Sequence, residues 1–428
     1  MRSRVFALVD CNNFYVSCER VFNATVRNRP CIELSNNDGC VVARSNEVKA
    51  LGVKMGQPAF EIKELIEKHN IVLFSSNYSL YADMSSRVMK VLAEFSPRLE
   101  TYSIDEAFLD LTDQKYPDLT ALGREIKGRV LQHTGIPVSV GIAPSKTLTK
   151  IACEVVKKDP AYGGVLDLCK LTDAQIDEVL EKVAVEDVWG IGYQYTKFLR
   201  SRGVNTARDL KYANPKFIRK HLTVTGERMV LELGGIACNP LEEEIKPKKG
   251  IMCSRMFSKD GTSIDELEEA ISTYAARAAE KLRGQDSLAS EISVFVRSND
   301  FKQDLPHYSN FRNVRLPYPT AFTPEIIKHA LELLKSMYID GYHYRKAGVL
   351  LSRITPQDIL QPDLFGDFSM ESHFKQLRLM YIVDAINKAY GRDTLFFAIQ
   401  GIKREWKMKQ LKLSSRFTTK WSEILLVK

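Results

Sequence analysis

The stretch Thr101-Tyr102-Ser103-Ile104-Asp105-Glu106-Ala107-Phe108-Leu109-Asp110-Leu111 sets an adjacent pair of acids between two short apolar runs. Side-by-side carboxylates at a strand junction repel each other, and Asp is depleted in strands, so the pair opposes folding unless something neutralises it. A divalent cation would do so. Upstream, Val5-Phe6-Ala7-Leu8-Val9 reads as an apolar strand ending in Asp10, which could deliver a third carboxylate to the same place. Three carboxylates on neighbouring strands suit a hard, oxygen-seeking ion such as Mg²⁺, and with it phosphoryl chemistry. The plain alternative is a polar hairpin tip with Asp10 as a turn residue.

Working outward, Asn12 to Val21 reads as a helix with Asn caps, so Asp10 falls at a strand-to-helix junction where phosphate can also be received. Pro30 to Leu34 reads as a strand and Ser35 to Cys40 as a turn. Val41-Val42-Ala43 then leads into a helix carrying Arg44, Lys49 and Leu51. Arg44 and Lys49 could clamp a triphosphate or be ordinary surface cations. A helical pattern from Asn77 to Ser96 feeds the strand before Asp105; a helix from Leu119 to Gln132 and a strand from Val138 to Ile142 follow. The order is strand, helix, strand, strand, helix, strand, that of a ferredoxin-like sheet interrupted by residues 14 to 75. It places Asp10 beside the Asp105/Glu106 pair. Lys146, Lys150 and Lys157 follow on the next helix, available to phosphates on that face.

A second unit begins near Asp173. There Trp189-Gly190-Ile191-Gly192 lies between helical patterns, and its bare backbone amides could approach a DNA phosphate or simply connect two helices. Glu242 to Gly250 is charged and contains Pro and Gly, which marks a linker. Beyond it the order of strand, helix, strand, strand, helix, strand recurs between Ile251 and Arg353, with Ser263 and Glu266 spaced as a capping box. Arg255, Arg297, Arg312, Arg315 and Arg345 lie on or beside those strands, where they could follow a phosphate backbone or be solvated. Gln361-Pro362-Asp363-Leu364-Phe365 is either a turn that tucks its apolar pair into a core or a short peptide that fills a partner's pocket.

The 428 residues suffice for about three domains, and 44% hydrophobic content supports ordinary cores. Net charge is only +8, but Gly401 to Lys428 carries eight basic residues against two acidic ones, which favours an anionic partner or a solvated basic surface. None of the eight cysteines forms a Cys-x-x-Cys pair or has a His at zinc spacing, so reduced thiols are expected. The N-terminal apolar run is too short for a signal peptide, and no segment reaches the roughly 20 apolar residues of a membrane span. A cytoplasmic, non-membrane protein is the expectation.

The sequence resembles the Y family of translesion DNA polymerases, in particular the UmuC-type subunits of bacterial DNA polymerase V. The resemblance rests on Val9-Asp10 with Asn13-Phe14-Tyr15, Ser35 to Arg44, Ser75 to Tyr78 with Leu80 to Ser85, Tyr102 to Phe108, and Asp187 to Gly192, and it covers essentially the whole chain. It implies an α+β right hand with no proofreading nuclease. The palm would be residues 1–13 and 76–170, the fingers 14–75, the helical thumb with a helix-hairpin-helix 171–240, the linker 241–250 and the βαββαβ little finger 251–355; residues 356–428 would bind a clamp and partners. By resemblance, Asp10, Asp105, Glu106 and the Cys11 carbonyl hold two Mg²⁺ ions, and Tyr15 is a steric gate against ribose. Arg44, Lys49 and Lys157 meet the dNTP phosphates, although many relatives have a hydroxyl residue and an Arg in place of Ala43 and Lys49. Gly190, Gly192, Arg255 and Arg297, read above from their turns and strands, are expected to touch primer-template DNA, and by resemblance Gln361, Leu364 and Phe365 seat on a sliding clamp. A cleaved UmuD homodimer, a RecA filament, nucleoid association and a place in the SOS response are also implied. A catalytically idle DNA- and clamp-binding factor and a nucleotide cyclase are the competing readings; intact carboxylates oppose the first, and the thumb, little finger and clamp peptide oppose the second.

Overall fold

A computed structural model describes residues 4–113, 116–244, 246–300, 302, 304–359 and 369–425. The chain divides into two units, residues 1–245 with 411–428, and residues 246–410, so the expected linker holds the boundary.

The first unit begins with β1 (Phe6–Cys11) and α1 (Phe14–Phe22), followed by β2 (Cys31–Leu34), β3 (Val41–Arg44), α2 (Asn46–Ala50), α3 (Lys63–Lys68) and β4 (Val72–Ser75). It continues through α4 (Tyr78–Leu92), β5 (Leu99–Thr101), β6 (Glu106–Asp110), α5 (Leu119–Thr134), β7 (Val138–Ala143), α6 (Lys146–Lys158) and β8 (Val165–Asp167). All six residues of β1 are buried, as an unbroken apolar run should be in a central strand. It pairs antiparallel with β6 on one side and β7 on the other, giving the order β5-β6-β1-β7-β8. Its first four strands have the ferredoxin-like arrangement read from the sequence; β8 adds a parallel edge.

Helix α6 lies so close to β7 that a Cβ on Gly141 would stand 2.4 Å from the Thr149 carbonyl oxygen. Only glycine allows that approach. A separate three-stranded sheet, β3-β2-β4, forms the insertion after α1. Arg44 ends strand β3 there, not the helix expected from sequence, because the apolar run beginning at Val41 pairs with β2 through Ile32↔Arg44. Asn13 takes a left-handed conformation before α1 and caps nothing; its side chain donates instead to Asn46 Oδ1, 3.0 Å away.

Four helices complete the unit: α7 (Asp173–Glu181), α8 (Tyr193–Arg200), α9 (Ala207–Lys211) and α10 (Pro215–Leu233). The buried carboxylate of Glu232 ties α10 to the start of α6. It accepts from Thr147 N and Oγ1 at 2.9 and 2.6 Å and from Cys238 N and Asn239 N at 3.1 and 2.8 Å. Removing it strands two buried donors on Thr147 and two half-buried amides, so Glu232→Ala should cost about 3 kcal/mol. Chemical denaturation of the two proteins measures this, and an unchanged midpoint would show that the four bonds contribute nothing.

The second unit runs β9 (Ile251–Gly261), α11 (Ile264–Arg283), β10 (Ser287–Ser298), β11 (Ser309–Thr320), α12 (Thr323–Met337), β12 (Tyr344–Pro356) and α13 (Met370–Tyr390). The repeated element order is as expected, but the strands lie β11-β10-β12-β9, all antiparallel, unlike the first sheet. Ser263 accepts from Glu266 N as one half of the capping box, whereas Glu266 Oε2 takes the Thr262 amide. No disulfide forms among the described residues, and none of their helices is long and apolar enough to cross a membrane.

Candidate active site

Strand register brings the acids together: Asp10 stands directly opposite Glu106, and Cys11 N donates to the Asp105 carbonyl at 2.8 Å. Asp105 itself lies in the turn between β5 and β6, where Ser103 Oγ donates to its Oδ1 at 2.5 Å. The stretch is therefore a polar hairpin tip and an acidic cluster at once. Asp110, at the far end of β6, pairs with Arg98 at 2.8 Å and takes no part in the cluster.

Two lysines seven apart on one face of α6 reach these acids. Lys157 Nζ donates to Asp10 Oδ2 at 2.5 Å, and Lys150 Nζ to the two Glu106 oxygens at 2.8 and 2.7 Å. The sequence placed both near phosphates and missed their carboxylate partners, although their spacing of two helical turns was the available signal.

Burial pushes the Asp10 carboxyl up to about 7 against the pull of Lys157. For Glu106, burial works in the opposite sense to the hydrogen bond with Asp10 and the charge of Lys150, which together hold its carboxyl below the usual range. Lys157 rises despite its burial, because Asp10 lies against it. The oxygens that surround this place are hard donors of the kind that suit Mg²⁺, and Lys157 and Lys150 occupy them now. Among the described residues, no three His, Cys, Asp or Glu side chains are gathered as closely as one ion requires.

A cleft of about 750 Å³ opens beside the acids and is lined by Asp10, Tyr15, Arg44, Lys49, Asp105 and Lys157. It has an acidic wall and a basic wall. Among the described residues the buried Arg44 Nε has no hydrogen-bond partner, and its Nη1 meets the sulfur of Met55 at 3.4 Å. Burial, then the charges of Arg44 and Lys157, lower the pKa of Lys49. The ring of Tyr15 is stacked on Tyr81 at 4.5 Å with 16° between planes, and Tyr78 meets it edge-on at 6.1 Å.

The remaining expected residues are dispersed. Gly190 has φ 91° and carries the turn before α8, and Trp189 Nε1 donates to the Tyr102 hydroxyl at 3.0 Å, tying that turn to the acidic hairpin. Register parity separates the two arginines assigned to DNA. Arg297 pairs with Lys346 on the sheet face away from the helices, whereas Arg255 pairs with Ala347 on the helix side of the edge strand. There Arg255 lines a cavity of about 520 Å³ with Arg277, Lys281, Arg392, Arg404 and Lys407. Gln361, Leu364 and Phe365 lie outside the described residues.

Sequence reasoning also missed Glu33, a fully buried carboxylate on β2 with no hydrogen-bond partner among the described residues; the nearby Tyr81 hydroxyl donates to Glu19 at 2.8 Å. Burial, then the charge of Glu19, raises the Glu33 carboxyl well above its ordinary range. A carboxyl with a raised folded pKa contributes full stability below the unfolded value near 4.5 and loses it as pH climbs toward the folded value. Glu33→Gln, which cannot ionise, should therefore gain thermal stability over the native protein progressively from pH 5 to pH 8. A difference independent of pH would show that Glu33 does not titrate this way.

Residues 9–154 match the impB/mucB/samB family, residues 248–364 its C-terminal domain, and residues 377–427 a domain of unknown function. Protein UmuC of Salmonella typhimurium is 45% identical over 426 residues, covering 99% of this chain and 100% of that one. Protein ImpB of the same organism is 43% identical over 427 residues, with the same coverage. DNA polymerase IV of Oceanobacillus iheyensis is 27% identical, covering 92% and 91%. Among solved structures, a Dbh-Dpo4-Dbh chimera of Y-family DNA polymerases superposes with TM-score 0.64 at 22% identity, covering 82% of this chain and 99% of that one. The chain belongs to the impB/mucB/samB family, and through it to the Y-family DNA polymerases. It is a UmuC-like, DNA-directed translesion polymerase.

Proposed function

We propose that this chain extends a primer past damaged template bases by two-metal nucleotidyl transfer during the SOS response. The observation that carries the reading is the cleft in which Asp10 and Asp105 face Arg44, Lys49 and Lys157. Asp10, Asp105, Glu106 and the Cys11 carbonyl would hold two Mg²⁺ ions. When bound, these ions offset the charge of the triphosphate and lower the pKa of the primer 3′-hydroxyl.

The protein's own side chains bind and orient the substrates. Arg44 (whose Nε lacks a partner among the described residues), Lys49 and Lys157 meet the dNTP phosphates, with Lys giving a point charge where Arg gives a fork. Tyr15 lies under the sugar and excludes a 2′-hydroxyl. Gly190 and Gly192 approach the duplex backbone, and Arg297 follows it from the open face of the second sheet. Arg255, on the other side of that sheet, would meet DNA only at the edge strand.

In the cell the polymerase would work near the nucleoid with a sliding clamp held through Gln361, Leu364 and Phe365, a cleaved UmuD homodimer and a RecA filament. Primer extension across an abasic template site, with and without the Asp105 carboxylate, tests the catalytic reading. An idle DNA- and clamp-binding factor would extend nothing in either form.

A further inference from the structure

The segment from Leu411 to Phe417 returns to the first unit and packs against the end of β4, the start of α4 and α1. Lys412 brackets Ser75 at the end of β4: its carbonyl accepts from Ser75 N at 3.0 Å, and its amide donates to Ser75 Oγ at 2.9 Å. Leu411 N donates to Asp38 Oδ2 at 2.9 Å, and Leu413 forms a parallel bridge with Ser75. Asn77, which caps α4 by accepting from Leu80 N, donates its Nδ2 to the Ser414 carbonyl, the Ser414 hydroxyl and the Ser415 carbonyl, at 3.2, 3.0 and 3.2 Å. Phe417 stacks on Phe22 of α1 at 4.9 Å. The segment is therefore built into the unit by backbone pairing, a side-chain amide and an aromatic stack.

Ser414 gives this packing a route to the cleft. Its hydroxyl donates to Glu19 Oε1 at 2.8 Å, and the Tyr81 hydroxyl donates to the same oxygen at 2.8 Å. Glu19 is buried, one helical turn after Tyr15 on α1, and Tyr81 is the fully buried ring on which Tyr15 stacks. A buried carboxylate oxygen shared by two hydroxyl donors fixes both, since each would otherwise leave a polar group unsatisfied. The Tyr81 ring is held at one end by this bond and presents its face to Tyr15.

We propose that the segment from Leu411 to Phe417 braces the sugar gate: Ser414, through Glu19 and Tyr81, is a positioning residue that holds Tyr15 against the nucleotide sugar. This gives the C-terminal region, matched to a domain of unknown function, a role in choosing deoxyribose over ribose. The inference rests on the reading of Tyr15 as the gate. Loss of the Ser414 hydroxyl loosens the Tyr81 ring, leaves the carboxylates and phosphate-binding cations in place, and widens the space available to a 2′-hydroxyl.

The test is single-nucleotide incorporation by the full chain with its partners, read as the ratio of kcat/KM for a deoxynucleotide to that for the matching ribonucleotide. This ratio is independent of the fraction of active enzyme. Ser414→Ala should lower it about three- to tenfold, mainly through a lower KM for the ribonucleotide, with deoxynucleotide turnover unchanged. Ser414→Thr, which keeps the hydroxyl, should restore the native ratio. Tyr81→Phe should match Ser414→Ala, and the double variant should be no worse than either single one. A native ratio in both single variants, or a parallel loss for both sugars, would overturn the brace. Tyr15→Ala separates the premise: if it leaves the ratio native the gate assignment falls, and if it lowers the ratio while Ser414→Ala does not, only the brace falls.

Discussion

Replacing Asp105 by Asn is expected to reduce primer extension at least about a thousandfold while leaving primer-template affinity within about threefold. Asn keeps the size and one carbonyl oxygen of Asp, and the Ser103 hydroxyl can donate to that oxygen as it donates to Oδ1 now. The turn between β5 and β6 therefore has no reason to unfold. What disappears is one negative charge beside Asp10 and Glu106, on which, in the proposed reading, retention of a divalent ion would depend. In the proposed reading DNA would be held elsewhere, by cations and turns whose charge is unchanged, and removing an acid near phosphates weakens a repulsion. Extension at fixed enzyme and saturating dNTP, together with a gel-shift titration, separates the two effects. Native extension by Asp105→Asn would remove Asp105 from the ion-binding set. Loss of extension matched by loss of DNA affinity would place it in substrate binding.

The second large effect is expected at Tyr15. Tyr15→Ala removes the ring that lines the cleft and should raise ribonucleotide incorporation relative to deoxynucleotide by about a hundredfold. In the proposed reading the selection is steric: the ring would occupy volume that a 2′-hydroxyl needs, and its stack on Tyr81 and edge contact with Tyr78 limit how far it can yield. Tyr15→Phe keeps the ring and should keep most of the discrimination. If Tyr15→Phe instead matches Tyr15→Ala, selection comes from the phenolic hydroxyl and the steric account is wrong.

Much of this site was legible in the sequence because strand periodicity has few solutions. An apolar run ending in Asp10 and a second run starting at Glu106 could pair in one sheet, and the register then set Asp10 against Glu106. Arg44 and Lys49 were found as residues but misplaced as one helix, since Val41 to Arg44 is too short to show a period before the strand ends. Strand order in the second unit was not legible, because identical element orders gave β5-β6-β1-β7 in one sheet and β11-β10-β12-β9 in the other. Nor was the opposition of Arg255 and Arg297, which depends on pairing parity across β9, β12 and β10.

The C-terminal segment was read by its charge, which drew attention to its lysines. Its packing uses the backbone of Leu411 and Lys412, the hydroxyl of Ser414 and the ring of Phe417, groups that carry no charge and follow no period. Glu19 and Glu33 were passed over for a related reason. On α1 and β2 they interrupt otherwise apolar positions, and one sequence alone does not distinguish a buried acid from an exposed one.

Because residues 411–428 belong with residues 1–245, the second unit is an insertion within the first along the chain. On the ribosome, the polymerase sheet and its cleft emerge early, but the strand-like segment that covers Ser75 and Asn77 cannot arrive until residues 246–410 have been made. At roughly 5–20 residues per second that interval lasts roughly ten to thirty seconds. During it the end of β4 lacks its pairing with Lys412, and Glu19 has the Tyr81 hydroxyl but not yet that of Ser414.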